Sequence, residues 1–76
     1  MAAPIEFALR GEHITLDALL KATGLASSGG VAKMAITAGG VCVNGEPETR
    51  RGRKLRAGDN VAVGDTVIRV GAAPAS

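Results

Sequence analysis

The chain has 76 residues, of which 46% are hydrophobic, and it carries nine Lys and Arg side chains against seven Asp and Glu. This length fits one small domain with a thin core, and the apolar share is too high for a disordered chain. One cysteine excludes an internal disulfide, a zinc site has no ligand set, and no apolar run approaches the ~20 residues of a membrane span. The first ten residues also lack the pattern of a signal peptide. We expect a soluble, cytoplasmic, monomeric domain over residues 1–76, with neither metal nor cofactor.

The chain opens with a predicted strand and a predicted helix. Residues 5–9 have the length of a strand, and we interpret them as a weak edge strand. Leucines at helical spacing follow, with Thr15 as the expected cap and Gly24 as the expected left-handed stop. This first helix is too short to be stable alone in water, so it requires a packing partner.

A second helix is predicted from Ser27 or Ser28 to the Gly39-Gly40 pair. It is also short and therefore needs a partner. Its apolar residues at helical spacing form one face, made of Val31, Ala32, Ala35 and Ile36.

The following segment predicts a β-hairpin. A strand at residues 41–43 leads into Asn44-Gly45, the dipeptide that most strongly favours a two-residue hairpin turn. Residues 46–49 form the returning strand, which Pro47 restricts to an edge of the sheet.

Two more strands are predicted at residues 60–63 and 66–70. Gly64-Asp65 joins them and suits a type II′ turn. Residues 71–76 are expected to form a frayed tail. The predicted fold class is α+β, with two short helices packed on a small antiparallel sheet.

The sequence has few candidate residues for catalysis. His13 is the only histidine and Cys42 the only thiol, and they lie in separate predicted elements with no third group to orient them. We interpret His13 as an ordinary surface or hinge residue and Cys42, between two valines, as a small buried hydrophobe. Glu46 and Glu48 share one strand face, which is the pattern of a solvated strand. We therefore expect no catalytic residue and no small-molecule substrate.

The most unusual segment is Arg50-Arg51-Gly52-Arg53-Lys54-Leu55-Arg56, in which five of seven residues are cationic. It makes the charge uneven: residues 1–49 hold three basic and five acidic side chains, and residues 50–76 hold six and two. In a loop between two hairpins these cations would project from one edge of the sheet. Contacts with phosphates release counterions, which is a main source of affinity for nucleic acids. The alternative is a solvated basic turn that keeps the protein soluble.

The start of the second helix is a further candidate for binding anions. Ser27-Ser28-Gly29-Gly30 leaves backbone N–H groups free at the positive end of the helix dipole, and Lys33 follows one turn later. The alternative is a helix cap with a flexible joint. A nucleotide-binding loop is disfavoured because the Walker spacing is absent. A phosphate-binding surface requires this tip and the basic segment to face the same side, with arginines free of the protein's own carboxylates.

The scarcity of aromatic residues constrains the mode of binding. Proteins that bind single strands stack bases on aromatic side chains, and Phe7 is the only aromatic residue in the chain. The sequence therefore favours contact with the backbone of a structured or duplex nucleic acid.

Between Ile14 and Val63 several short motifs occur in a fixed order. They are Leu16-Asp17, Leu19-Leu20, Ser28, Ala32-Lys33, Ile36, Gly39, the Val41 to Gly45 run and Gly58-Asp59. This ordered combination resembles the S4 RNA-binding domain, also called the αL motif, and its small stand-alone bacterial members in particular. The resemblance implies binding of structured RNA, such as ribosomal or transfer RNA, and a role in translation or ribosome biology.

The resemblance also implies an RNA-facing surface at the start of the second helix and the adjacent hairpin and loop. Two positions depart from the family pattern, because Gly29 stands where arginine is common and Val31 where an acid is usual. These departures shift the expected contacts towards Lys33 and the basic loop. The predicted RNA-binding residues are Ser28, Gly29, Gly30, Lys33, Asn44, Arg50, Arg51, Arg53, Lys54 and Arg56.

The alternative function is a protein–protein adaptor whose basic loop docks an acidic partner. A small carrier of the β-grasp type is disfavoured, since loading requires a C-terminal Gly-Gly and residues 72–76 are Ala-Ala-Pro-Ala-Ser. An adaptor's partners should survive digestion with ribonuclease, which separates the two functions.

Overall fold

The protein is described by a computed structural model over residues 4–72, which form two helices and seven strands. The helices are α1 (Leu16–Ala22) and α2 (Gly29–Thr37). The strands are β1 (Ile5–Leu9), β2 (Ile14–Thr15), β3 (Val41–Val43), β4 (Glu46–Pro47), β5 (Lys54–Leu55), β6 (Asn60–Val63) and β7 (Thr66–Ala72). The predicted α+β class is confirmed.

Five strands form one sheet in the order β1-β7-β6-β3-β4, and β2 pairs with β5 in a separate ladder. The predicted edge position of β1 is confirmed. The sheet is mixed rather than antiparallel, because β1 runs parallel to β7, with Ile5 opposite Ile68. This pairing joins the first strand to the last through a long crossover, whereas the hairpins between them are antiparallel.

One face of the sheet packs against the helices. Leu16 and Leu19 of α1 and Ile36 of α2 are fully buried and share one core with the inward residues of the strands, among them Val41 and Ile68. Burial of these large side chains supplies most of the stabilisation of a domain of this size. The other face of the sheet carries no helix within residues 4–72.

The uncovered face explains the position of the cysteine. Successive residues of a strand point to opposite faces, so Val41 and Val43 enter the core and Cys42 lies outside it, opposite Ala62. Cys42 is half-buried, and the prediction of a buried position is therefore wrong. His13 is exposed between β1 and β2, as predicted.

The hairpin turns have the predicted geometry. Asn44 and Gly45 have φ angles of 52° and 86°, which is the left-handed pair that a type I′ turn needs. Gly64 has a φ of 59°, whereas Asp65 is not left-handed, so the second turn is type II′. Pro47 lies in β4 at the edge of the sheet, although that strand ends at Pro47 rather than at residue 49.

The helix boundaries follow the predicted caps closely. Ser28 is the N-cap of α2, and its Oγ accepts a hydrogen bond from the backbone N–H of Val31 at 3.2 Å. Thr15 is the N-cap of α1 but makes no side-chain capping bond. Gly24 is left-handed, as predicted, with a φ of 81°. On α2 Ala32 and Ile36 are buried, whereas Val31 is 44% exposed.

The last strand is longer than predicted. β7 includes Gly71 and Ala72, which pair with β1 instead of fraying. The rest of the predicted tail, residues 73–76, lies outside the described residues. In the part of the chain described here, no helix is long and apolar enough to cross a membrane.

Candidate nucleic-acid interface

The basic segment forms the wall of an open cleft of about 620 Å³. Four cations and one acid line this cleft, so the sequence-predicted cations are largely brought together. We call it the basic cleft, and its lining residues are Arg50, Gly52, Arg53, Lys54, Arg56 and Asp59.

Two turns frame the basic cleft. In the first, the backbone N–H of Arg53 donates to the carbonyl of Arg50 at 3.2 Å. In the second, the N–H of Asp59 donates to the carbonyl of Arg56 at 3.0 Å, and Gly58 provides the positive φ of 101° that the turn needs. The cations therefore project from defined turns rather than from a loose loop.

A buried leucine fixes the strand between these turns. Leu55 of β5 is fully buried in the main core, and it pairs with Ile14 of β2. Further bonds run from the N–H groups of Leu16 and Asp17 to the carbonyls of Arg53 and Arg51, at 2.9 and 3.1 Å. The basic segment is thus attached to the first turn of α1. The sequence predicted a loop between two hairpins here, and this strand was missed.

Glu48 lies behind the two arginines and holds both. It is only 6% exposed. Its Oε1 accepts from the backbone N–H and Nε of Arg50, both at 3.0 Å, and its Oε2 accepts from Nη2 of Arg50 at 3.2 Å and Nη1 of Arg53 at 2.8 Å. These donors lower the pKa of Glu48 from an ordinary 4.5 to about 2, chiefly through the side chain of Arg50 and then that of Arg53.

These contacts overturn two expectations. Glu48 is not a solvated strand residue, because the turn that follows it folds two arginines over its carboxylate. Arg50 and Arg53 are not free of the protein's own carboxylates. One carboxylate shared by two guanidinium groups leaves them with a net charge of +1, and among the described residues Lys54 and Arg56 form no ion pair.

Asp59 has the matching role at the second turn. Its Oδ2 accepts from the backbone N–H of Arg56 at 2.8 Å, and its Oδ1 accepts from Nδ2 of Asn44 at 3.0 Å. The Arg56 N–H is the largest cause of a lowered pKa of Asp59. The Asn44 side chain also accepts from the N–H of Asn60 at 2.9 Å. Asn44, a predicted RNA contact, thus ties its hairpin to the rim of the basic cleft.

The tip of α2 is not part of the basic cleft. Gly29 lines a separate groove along the exposed side of α1. Arg51 is also absent from the cleft lining, and its carbonyl instead accepts from Asp17 in the first turn of α1. Lys33 is exposed and lines neither depression. The prediction of a single surface is therefore not met, because the basic segment and the tip of α2 line two depressions that share no lining residue.

The lowered pKa of Glu48 predicts a pH dependence of stability. A carboxylate with a lowered pKa in the folded state stabilises that state above its unfolded pKa, and the stabilisation is lost as pH falls. The loss attributable to Glu48 should therefore occur between about pH 4.5 and pH 2. We expect the Tm of Glu48→Gln, measured by circular dichroism, to fall less than that of wild type over this interval. The matched variant Glu46→Gln, which removes an exposed carboxylate of the same hairpin, should follow wild type; parallel curves for wild type and Glu48→Gln would contradict the assignment.

Two short helices packed on a mixed sheet, with a basic cleft beside the first helix, place the chain among small α+β domains of the S4 kind. The sequence model of the S4 domain family matches residues 7–71, and the chain belongs to this family. It is similar to "Probable ribosome maturation protein RlbA" of Bacillus subtilis (strain 168). The two are 46% identical over 63 residues, which make up 83% of this chain and 86% of the relative.

Proposed function

We propose that this protein is a non-enzymatic RNA-binding module that acts in ribosome maturation and holds the phosphate backbone of structured RNA in the basic cleft. The observation that carries the proposal is the gathering of four cations around one open cleft on fixed turns. Membership of the S4 family supports RNA as the ligand. The name of the Bacillus subtilis relative, a probable ribosome maturation protein, supports a role in ribosome maturation.

The charge of the basic cleft supports phosphate as the group that is bound. Four lining cations stand against two carboxylates, Asp59 within the lining and Glu48 behind it. Arginine presents paired N–H donors that match phosphate oxygens, and lysine adds a point charge. Arg50 and Arg53 do not meet the condition that the cations be free of the protein's own carboxylates, so the proposal depends first on Lys54 and Arg56. These two have no ion-pair partner in the described part of the chain and are the first phosphate contacts that we assign.

The position of the aromatic residue supports structured RNA over single strands. Phe7 is the only aromatic residue in the chain and is half-buried against the core, so the chain has no series of aromatic platforms on which successive bases could stack. RNA that extends along α1 into the second depression would reach Gly29. The other predicted contacts, Ser28, Gly30, Lys33 and Arg51, stay predictions. Asn44 instead positions the rim of the cleft through Asp59 and Asn60.

The salt dependence of RNA binding tests the proposal. Each phosphate contact contributes roughly −0.7 to −0.9 to the slope of log affinity against log salt, so four cations predict a slope between about −2.8 and −3.6. Fluorescence anisotropy with a labelled RNA hairpin over a series of KCl concentrations measures it, with an unstructured strand of the same length as the comparison. A slope near zero, or tighter binding of the unstructured strand, would refute backbone recognition of structured RNA.

A pull-down from cell lysate with and without ribonuclease separates RNA binding from the adaptor function. Partners of an RNA-binding module should be lost after digestion, and crosslinking followed by sequencing should then recover ribosomal RNA. Partners that persist after digestion would favour an adaptor with an acidic partner.

A further inference from the structure

Glu48 is an unusual residue for a surface that binds phosphate. Among residues 4–72, Glu48 is the one charged residue that is buried. It lies directly behind a cluster of cations. A buried carboxylate is unfavourable unless it is paired and hydrogen-bonded. Both oxygens of Glu48 accept hydrogen bonds, which explains why a buried carboxylate is tolerated but not why it lies behind the basic cleft.

From this geometry we infer that Glu48 is a positioning residue that holds Arg50 and Arg53 in the orientation needed to bind an RNA phosphate. The inference rests on the proposed function of the basic cleft and goes beyond it by assigning a role in RNA binding to an acid.

The hydrogen bonds of Glu48 leave donors free on both arginines. Arg50 directs Nε and Nη2 towards the carboxylate, and Arg53 directs only Nη1. Each guanidinium group carries more N–H donors than these bonds use. Both residues line the basic cleft, and we assign their remaining donors to a phosphate bound there.

Because Arg50 is already paired with Glu48 in the free protein, its side chain has less conformational freedom to lose when RNA binds. The side chain of Arg50 is 74% exposed, and an exposed arginine without a partner samples many rotamers, all but a few of which are lost on binding. Glu48 fixes the guanidinium in the free protein through two side-chain bonds and, through the backbone N–H of Arg50, fixes the turn as well. Binding to such a preorganised group loses less conformational entropy.

Two explanations of Glu48 predict effects of opposite sign. If the carboxylate only neutralises charge, Glu48→Gln adds one positive charge to the region and should strengthen RNA binding. If it positions the arginines, the same change should weaken binding, because an amide presents one oxygen and its NH2 group faces the guanidinium donors. The matched control is Glu46→Gln, which makes the same charge change at an exposed position of the hairpin.

The test measures the affinity of a labelled RNA hairpin for wild type, Glu48→Gln and Glu46→Gln, at a temperature where circular dichroism shows all three folded. We expect Glu48→Gln to bind about tenfold more weakly than wild type, and Glu46→Gln to bind as well as wild type or slightly better. Binding by Glu48→Gln that equals or exceeds that of Glu46→Gln would overturn the inference. Failure of wild type to bind the hairpin would instead overturn the proposed function.

A second pair of variants applies if Glu48→Gln does not fold. Arg50→Lys keeps the charge but removes the paired Nε and Nη2 donors, and Arg69→Lys makes the same change in β7, outside the basic cleft. We expect Arg50→Lys to bind several-fold more weakly than Arg69→Lys, since a lysine held by Glu48 has no planar fork to offer a phosphate. Equal affinities of the two variants would overturn the inference.

Discussion

Replacing both Lys54 and Arg56 with glutamine should weaken binding of an RNA hairpin about 60-fold at about 0.1 M salt. Both side chains line the basic cleft, and neither forms an ion pair within residues 4–72. Loss of two phosphate contacts should make the salt slope shallower by about 1.8, and between about 1 M and 0.1 M salt this corresponds to the stated factor. Fluorescence anisotropy at several salt concentrations measures both quantities.

The control for this double variant removes the same charge elsewhere. Arg10→Gln combined with Arg69→Gln also lowers the net charge by two, but neither residue lines the basic cleft. Its affinity should change by less than about threefold, because neither side chain lines the basic cleft and the field of exposed charges that make no phosphate contact is weakened by salt. Similar losses in the two double variants would mean that overall charge, and not the cleft, determines binding.

Lys54 and Arg56 are better targets than the more obvious arginines. Changing Arg50, Arg51 and Arg53 together would leave Glu48 buried without its partners. Stranding a buried charge destabilises a protein strongly, so weaker binding by that variant would mix loss of contact with loss of structure. The pair Lys54 and Arg56 avoids this ambiguity.

Leu55→Ala should lower the free energy of unfolding by about 2–5 kcal/mol, the usual range for a fully buried leucine. A domain of this length is stable by only about 4–11 kcal/mol in total, so a large part of its stability would be lost. The variant should also release the basic segment, because Leu55 anchors β5 between the two turns of the cleft. Urea denaturation followed by circular dichroism measures the change.

Leu25→Ala is the matched control for the leucine variant. Leu25 is 37% exposed, so its replacement should cost less than about 1 kcal/mol. If Leu55→Ala were no more destabilising than Leu25→Ala, the basic segment would be loosely attached, and the preorganised cleft would lose its support.

Local chemistry made much of the fold predictable from sequence. Asn44 and Gly45 adopt a left-handed backbone more easily than other residues, so this dipeptide predicts a turn without knowledge of the tertiary structure. Ser28 likewise caps α2 through a hydrogen bond to a residue only three positions away. The parallel pairing of β1 with β7 was not predictable in this way. It joins Ile5 to Ile68 and depends on the whole crossover, not on any local pattern.

The cations of the candidate site could be predicted from the sequence, whereas the roles of its two acidic residues could not. Five cations among seven residues are evident from the sequence. Glu48, in contrast, alternates with its neighbours as an exposed residue of a solvated strand does. Its burial arises from the turn that brings Arg53 back over it. The lone apolar Leu55 among basic residues was a usable sign of a buried anchor, since an isolated leucine in a charged run has little other reason to be there.

The parallel edge strand also governs when this domain can finish folding. The hydrogen-bonding neighbour of Ile5 lies 63 positions later in the chain, and pairings between such distant residues form late and slow the search for the native state. During synthesis on the ribosome, β1 therefore has no neighbouring strand until nearly the whole domain has been made, and its apolar side chains stay exposed until then. We therefore expect fragments that lack β7 to expose β1 and aggregate, and the intact domain to complete its sheet in one cooperative step.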